Sequence, residues 1–354
     1  MSRRDGGIGR TGVDGAASVD GVVRVNAARR VERDGRATVG GAEALGGWGA
    51  RFDVDGGTRG TCRIDRKQFL RAAGIVCGAG WLAGQAGEGA AASGESTAAG
   101  DATARQPLLE RIGLQLYTVR SLMAEDVAGT LDAVAAIGYD EVEFAGYFGH
   151  APAQVRGWLD AAGLSSPAAH VGMEDLAGAA LEAAIETAST LGQRWLVLPW
   201  IPEEMRTSDG YRALADMLNA AGETAARANL RVAYHNHAFE FDTVDDDGTT
   251  GFSLLLEHLD PALTDLEIDF HWSAVGGADS AALLRDNPGR FPLCHVKDLT
   301  ADGRMADVGA GEIDWAGLFA LSGTAGLLHF FVEHDQPGDP LASIEASYRY
   351  LSGT

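Results

Sequence analysis

The chain has 354 residues, with 50 acidic side chains against 28 basic ones and a formal charge of −22. That balance excludes a phosphate-binding face of clustered Lys and Arg, so nucleic acid is not an expected partner. Only three cysteines occur, with Cys62 and Cys77 upstream and Cys294 alone in the folded part, which excludes a disulfide framework.

Residues 1–62 are rich in Gly, Arg, Asp and Ala and carry no sustained apolar period. They read as a disordered tail, or as sequence upstream of the true start. Residues 63–92 have the order of a secretory signal peptide. Asp65-Arg66-Lys67-Gln68-Phe69-Leu70-Arg71 gives a basic start, Ile75, Val76, Trp81 and Leu82 a short apolar run, and Ala90-Ala91-Ala92 a small-residue end. Arg66-Lys67-Gln68-Phe69-Leu70 resembles a twin-arginine signal with Lys in the second position. The apolar run is too short to span a bilayer, so no stable membrane insertion is expected after cleavage. The expected location is periplasmic or extracellular. Residues 93–107 form a Gly/Ala/Ser/Thr linker, and residues 108–354 are the folded domain.

From Ile112 the pattern changes to strands alternating with helices. Strands are predicted at Ile112–Tyr117, Asp140–Phe144, Ala168–Val171, Trp195–Trp200, Arg231–His237, Leu266–Trp272, Pro292–Asp298 and Phe330–Asp335. Helical stretches lie between them, several closed by a glycine such as Gly138, Gly163 or Gly192. Eight such pairs over about 240 residues are the arithmetic of a (β/α)₈ TIM barrel. No G-x-G-x-x-G follows the first strand, so a dinucleotide-binding sheet has no support.

In a barrel, chemistry sits at the C-terminal strand ends. Those ends carry Gln115 and Tyr117, Glu143, His170, Trp200, His235-Asn236-His237, Asp269 and His271, His295 and Lys297, and Glu333 and Asp335. Six of the nine histidines fall in these strands or at their ends. Period-two alternation puts Glu267, Asp269 and His271 on one face of the sixth strand and Leu266, Ile268 and Phe270 on the other. The same parity aims His235, His237, His295, Lys297 and Glu333 into the lumen. Buried carboxylates and imidazoles need partners, a metal or water. Asp269, His295 and Glu333 therefore make a site for one divalent ion, with oxygen and nitrogen donors suiting Mn²⁺, Mg²⁺, Co²⁺ or Zn²⁺.

Tyr234-His235-Asn236-His237-Ala238-Phe239-Glu240-Phe241, Glu267-Ile268-Asp269-Phe270-His271-Trp272, Cys294-His295-Val296-Lys297-Asp298 and Val332-Glu333-His334-Asp335 resemble the strand-end motifs of the sugar phosphate isomerase/epimerase family. These are the xylose isomerase-like TIM barrels, and the resemblance spans Arg111 to Leu351. It implies one divalent metal held by two glutamates, an aspartate and a histidine. Asp269, His295 and Glu333 match three of these. The earlier glutamate, expected at the end of the fifth strand, is replaced by His235-Asn236-His237. Glu240 is the nearest glutamate and the expected fourth ligand, with His235 or His237 as the substitute.

The resemblance implies proton transfer next to a sugar carbonyl, hence a metal-dependent isomerase or epimerase with a small-molecule carbohydrate substrate. The alternative is a lyase or dehydratase eliminating from a 3-keto-glycoside or an inosose-like substrate; export favours a phosphate-free substrate. His235, His237, Glu333 and Lys297 are the candidate catalytic groups. Lys297 is placed to steady an oxyanion or to hold Asp298 or Glu267. Gln115, Tyr117, Glu143, His170, Trp200 and Trp272 are candidate substrate contacts. A homo-oligomer is compatible with the sequence.

Overall fold

The computed structural model describes residues 106–354. The expectations of a tail and a signal peptide, and most of the linker, lie outside the described residues. Eight parallel strands close a barrel: β1 (Gly113–Gln115), β2 (Glu141–Ala145), β3 (Ser165–His170), β4 (Trp195–Leu198), β5 (Arg231–His235), β6 (Thr264–Asp269), β7 (Leu293–Val296) and β10 (His329–Val332). Each pairs with the next, and β10 returns to β1 through Gly113↔Phe331 and Leu114↔Val332. Two short strands, β8 (Asp298–Leu299) and β9 (Met305–Ala306), form an antiparallel ribbon in the connection from β7 to β10. The predicted TIM barrel is the observed architecture.

The helices follow from amphipathic runs with glycine stops. Pro152–Ala162 and Gly178–Leu191 end at Gly163 and Gly192, whose φ values of 75° and 77° favour a residue without Cβ. Their apolar stripes cover the outer faces of the strands. Val142, Phe144, Leu196, Leu198, Val232, Tyr234, Leu266, Ile268, Cys294 and Val296 are buried in this shell.

The lumen is layered, because alternate residues of each strand point inward. A small apolar plug of Ala168, Trp195, Val197, Ala233, Leu293 and Phe331 fills its middle. Gly113 makes room for that plug: a Cβ there would stand 2.6 Å from the Phe331 ring. Below the plug lies a polar floor. Asp265 accepts from the Trp195 indole at 2.8 Å and pairs through both oxygens with the Arg231 guanidinium. His329 Nδ1 meets Glu141 at 2.8 Å. Above the plug lies the polar mouth.

The floor is remote from the strand ends that carry chemistry, so it serves stability. Asp265→Ala strands a guanidinium and an indole N–H together. A loss of about 3 kcal/mol is expected, or roughly 10 °C in melting temperature for a domain of this size. Thermal denaturation followed by circular dichroism checks it, and a shift under 2 °C would contradict the assignment.

The sixth strand is shorter than its sequence pattern. It stops at Asp269, whose carboxylate accepts from the Trp272 amide and starts the helix Phe270–Val275. His271 therefore leaves the strand parity; its Nδ1 meets the Asp298 carbonyl at 3.0 Å instead of facing the lumen.

Candidate active site

Side chains from seven strands converge above the plug. The lower tier is centred on Glu267, which is fully buried. Its Oε2 lies 2.9 Å from His170 Nε2, 3.1 Å from His235 Nδ1 and 3.2 Å from His295 Nε2. Glu143 joins the tier from β2, with Oε2 2.8 Å from His295 Nε2 and 3.3 Å from His170 Nε2. Gln115 Nε2 donates to the same oxygen at 2.7 Å. The His170 and His295 rings stack with centroids 5.3 Å apart.

The upper tier is centred on Lys297. Its ammonium lies 3.0 Å from Asp269 Oδ2, 2.7 Å from Glu333 Oε2 and 3.0 Å from Asp335 Oδ1. His295 links the tiers, since its Nδ1 meets Glu333 Oε2 at 2.7 Å. Asp269 is held from both sides: Asn236 Oδ1 accepts from its amide at 3.1 Å, and its own Oδ1 accepts from the Trp272 amide at 2.8 Å. Its Oδ2 is left aimed into the site.

Burial and neighbours set the charges. Burial pulls against ionisation of Glu267, but His295, His170 and His235 hold it well below the usual carboxylate range. Burial and the nearby Glu267 charge push Glu143 up to about 7. Burial resists protonation of His295, yet Glu267 and Glu333 raise it well above an ordinary imidazole. Burial, then His295, pushes His235 down to about 4. Burial, then His235, also holds His237 low, so its ring is neutral near pH 7. Lys297 is kept charged by Asp269, Asp335 and Glu333 against the burial that opposes it.

The rim is aromatic. Trp200 is 40% exposed just past β4. Arg206 lies 5.5 Å from the Trp200 ring and 3.6 Å from the Phe239 ring. His237 stacks on Phe239 at 5.7 Å and approaches Trp272 at 5.5 Å. Tyr117 sits in a 3₁₀ turn, Leu116–Val119, beyond β1, with the Arg120 guanidinium 4.0 Å above its ring.

Asp269, His295 and Glu333 thus lie together, each offering a donor atom within 4.8 Å of the others. Glu240 does not join them. Tyr234 points outward from β5, and the 3₁₀ turn Phe239–Phe241 folds Glu240 back onto it. The Glu240 oxygens accept from the Tyr234 hydroxyl at 2.6 Å and the His237 amide at 2.8 Å. Lys297 holds neither Glu267 nor Asp298. Asp298 instead accepts from four backbone amides, of Leu299, Gly309, Gly311 and Ile313, and from the Trp315 indole. Glu143 and His170, expected as substrate contacts, are committed to the lower tier. Three groups were not singled out in the sequence: Glu267 as a centre, Asn236 as a brace and Asp335 as a partner of Lys297. Parity already put Glu267 on the face of Asp269; nothing local pointed to the role of Asn236.

Glu240 supplies a pH test. Burial raises its pKa from 4.5 to about 7. A carboxyl that binds its proton more tightly when folded favours the fold at low pH and loses that advantage as pH rises from about 4.5 to about 7. The span corresponds to about 3 kcal/mol. Glu240→Gln is expected to flatten the stability-against-pH curve across this window. Urea denaturation of both proteins at pH 5 and pH 8 reads the difference, and parallel curves would refute it.

Two buried carboxylate oxygens, Glu143 Oε1 and Glu267 Oε1, have no hydrogen-bond partner, and Asp269 Oδ2 is met by the Lys297 ammonium at 3.0 Å. Leaving such atoms unmet is costly, and their chemistry fits a cation. The model for the family described as xylose isomerase-like TIM barrels matches residues 131–351. The chain belongs to this family. Among solved structures, a sugar phosphate isomerase/epimerase from Parabacteroides distasonis is 25% identical, with a TM-score of 0.62, over 69% of this chain and 93% of that one. A second from the same organism is 24% identical, with a TM-score of 0.61, over 68% and 96%. The IOLI protein, solved with a binding zinc atom, shares the fold at 15% identity and a TM-score of 0.54, over 68% and 98%. No curated protein matches the chain.

Proposed function

We propose that this barrel is a metal-dependent sugar isomerase or epimerase that transfers a proton next to a sugar carbonyl. The observation that carries the reading is the mouth: Asp269, His295, Glu333 and Lys297 from three strand ends, buried together and facing one space. The sugar phosphate isomerase/epimerases with the same barrel support it, and so does the zinc atom of the IOLI structure.

Asp269 Oδ2, His295 Nδ1 and Glu333 Oε2 would hold the ion. A bound divalent ion supplies Lewis-acid polarisation of the substrate oxygens, a contribution of several kcal/mol. The protein groups do the rest. His237 is the base: it is neutral, its Nδ1 has no hydrogen-bond partner, and it stands at the rim. Lys297 donates to the oxyanion that develops as the proton leaves. For an isomerase, the protonated His237 returns that proton to the neighbouring carbon, while Glu333 stays ionised against His295 and Lys297. Trp200, Trp272 and Tyr117 provide faces for a sugar ring, and closure of that ring over the mouth excludes water.

A second reading is favoured by β5. The chain leaves it through His235-Asn236-His237, without the carboxylate a two-base epimerase would use on the opposite face. One imidazole base suits a lyase that removes the α-proton of a 3-keto-glycoside or inosose-like substrate and expels the β-oxygen. Export, proposed from residues 63–92, would place such a phosphate-free substrate within reach.

Incubation of the metal-loaded protein in deuterium oxide with a panel of keto-sugars and 3-keto-glycosides tests both readings. Exchange of an α-hydrogen is expected, with mass conserved for an isomerase and an aglycone released for a lyase. No exchange with any member of the panel would overturn the proton-transfer chemistry.

A further inference from the structure

The lower tier is more than a support for the mouth. Three imidazole nitrogens, from His170, His235 and His295, converge on a single oxygen, Glu267 Oε2, at 2.9, 3.1 and 3.2 Å. His295 Nε2 also meets Glu143 Oε2, at 2.8 Å, while His170 and His235 hydrogen-bond to Glu267 Oε2 and fill its two lone pairs. Its sister Oε1 is buried with no hydrogen-bond partner at all, and so is Glu143 Oε1 beside it. A hydrogen-bond network would spread these donors over the free oxygens. An ion among them would instead take all three nitrogens and the oxygen as donors.

The spacing fits such an ion. Ligands at 2.0–2.1 Å in a tetrahedron stand about 3.3 Å from one another. The three nitrogens stand at nearly that distance from Glu267 Oε2, and the four donor atoms lie within 4.8 Å of one another. His235, Glu267 and His295 are buried, and the His170 side chain is 7% exposed. Lys297, the cation that balances the upper tier, does not reach this oxygen. His295 presents Nε2 to the lower tier and Nδ1 to the upper one.

We propose that the lumen carries a separate divalent-ion site below the mouth, formed by His170 Nε2, His235 Nδ1, Glu267 Oε2 and His295 Nε2. Its nitrogen-rich donor set suits zinc or cobalt over magnesium or calcium. It shares only His295 with the oxygen-rich set of Asp269 and Glu333, so with both ions bound His295 releases its ring proton to solvent and bridges them as an imidazolate. The site does not depend on which substrate the mouth accepts.

The test uses the full chain, stripped with a chelator and titrated with cobalt(II) chloride. Bound metal is counted after gel filtration, and visible absorption reports the coordination. Two equivalents are expected in the wild type. His170→Gln and His235→Gln should each bind one and lose the intense visible bands of four-coordinate cobalt. Asp269→Asn should also bind one but keep those bands. Cobalt binding and bands unchanged by replacing His170 and His235 would overturn the proposal. A single equivalent that depends on His170 and not on Asp269 would support it while removing the mouth ion of the functional reading. A single equivalent with the opposite dependence would do the reverse. Should a variant fail to fold, paramagnetically shifted proton signals of the wild type decide: three ligating imidazoles support the lower site, and one refutes it.

Discussion

Asp269→Asn is expected to lose the mouth ion and at least about a thousandfold in turnover, the loss of roughly 4 kcal/mol of transition-state stabilisation. The change is chosen for what it leaves in place. Asn can still accept from the Trp272 amide, so the start of the helix Phe270–Val275 survives. It can still receive the Asn236 brace, which acts on the backbone N–H. What disappears is the charge on the one oxygen that faces Lys297 and the ion site. Metal analysis beside turnover is the measurement. A variant with full metal content and lost activity would show that Asp269 acts on substrate; full activity would remove it from the site. Asp269→Ala is less clean, because it also deletes a helix cap worth about 1 kcal/mol.

Lys297→Met should destabilise the metal-free protein by about 3–5 kcal/mol, the cost of breaking a buried charge cluster from one side. Three carboxylates, Asp269, Glu333 and Asp335, then face one another without their ammonium. Each would have to take up a proton or draw in water. In melting temperature the loss is roughly 10 °C or more. A divalent ion should restore part of it, since a cation at the mouth balances the same oxygens, and the recovery should exceed that of the wild type. Melting curves with and without metal read both effects. An unchanged melting temperature would mean the cluster relaxes without Lys297, and its role as charge balance would fall.

Much of this site was legible because barrel geometry converts parity into direction. Once β5, β6, β7 and β10 were recognised, His235, Asp269, His295, Lys297 and Glu333 had to point inward. Two misreadings came from residues just past strand ends, where parity stops. His271 continues the alternation of letters, but Asp269 is a helix cap, and a capping aspartate ends the strand it belongs to. Glu240 was favoured by resemblance, yet it follows outward-pointing Tyr234 by one tight turn and returns to that residue's hydroxyl. The underrating of Glu267 has another cause. Its importance comes from β3, β5 and β7 together, and contacts such as His170 with Glu267, 97 positions apart, leave no local trace in the sequence. The ribbon of β8 and β9 escaped for the same reason, being shaped by the amides gathered on Asp298.

The double engagement of Asp269 divides the barrel into parts that can drift and parts that cannot. One short carboxylate ends a strand, opens a helix and faces the chemistry, so lengthening it by a methylene would satisfy at most one of those tasks. A sequence exploring new substrates is thereby steered to positions with a single duty, Trp200 and Trp272 at the rim. Diversification around an invariant inner ring is the pattern such an arrangement favours, and a directed-evolution library confined to those rim positions is the economical place to look for altered sugar preference.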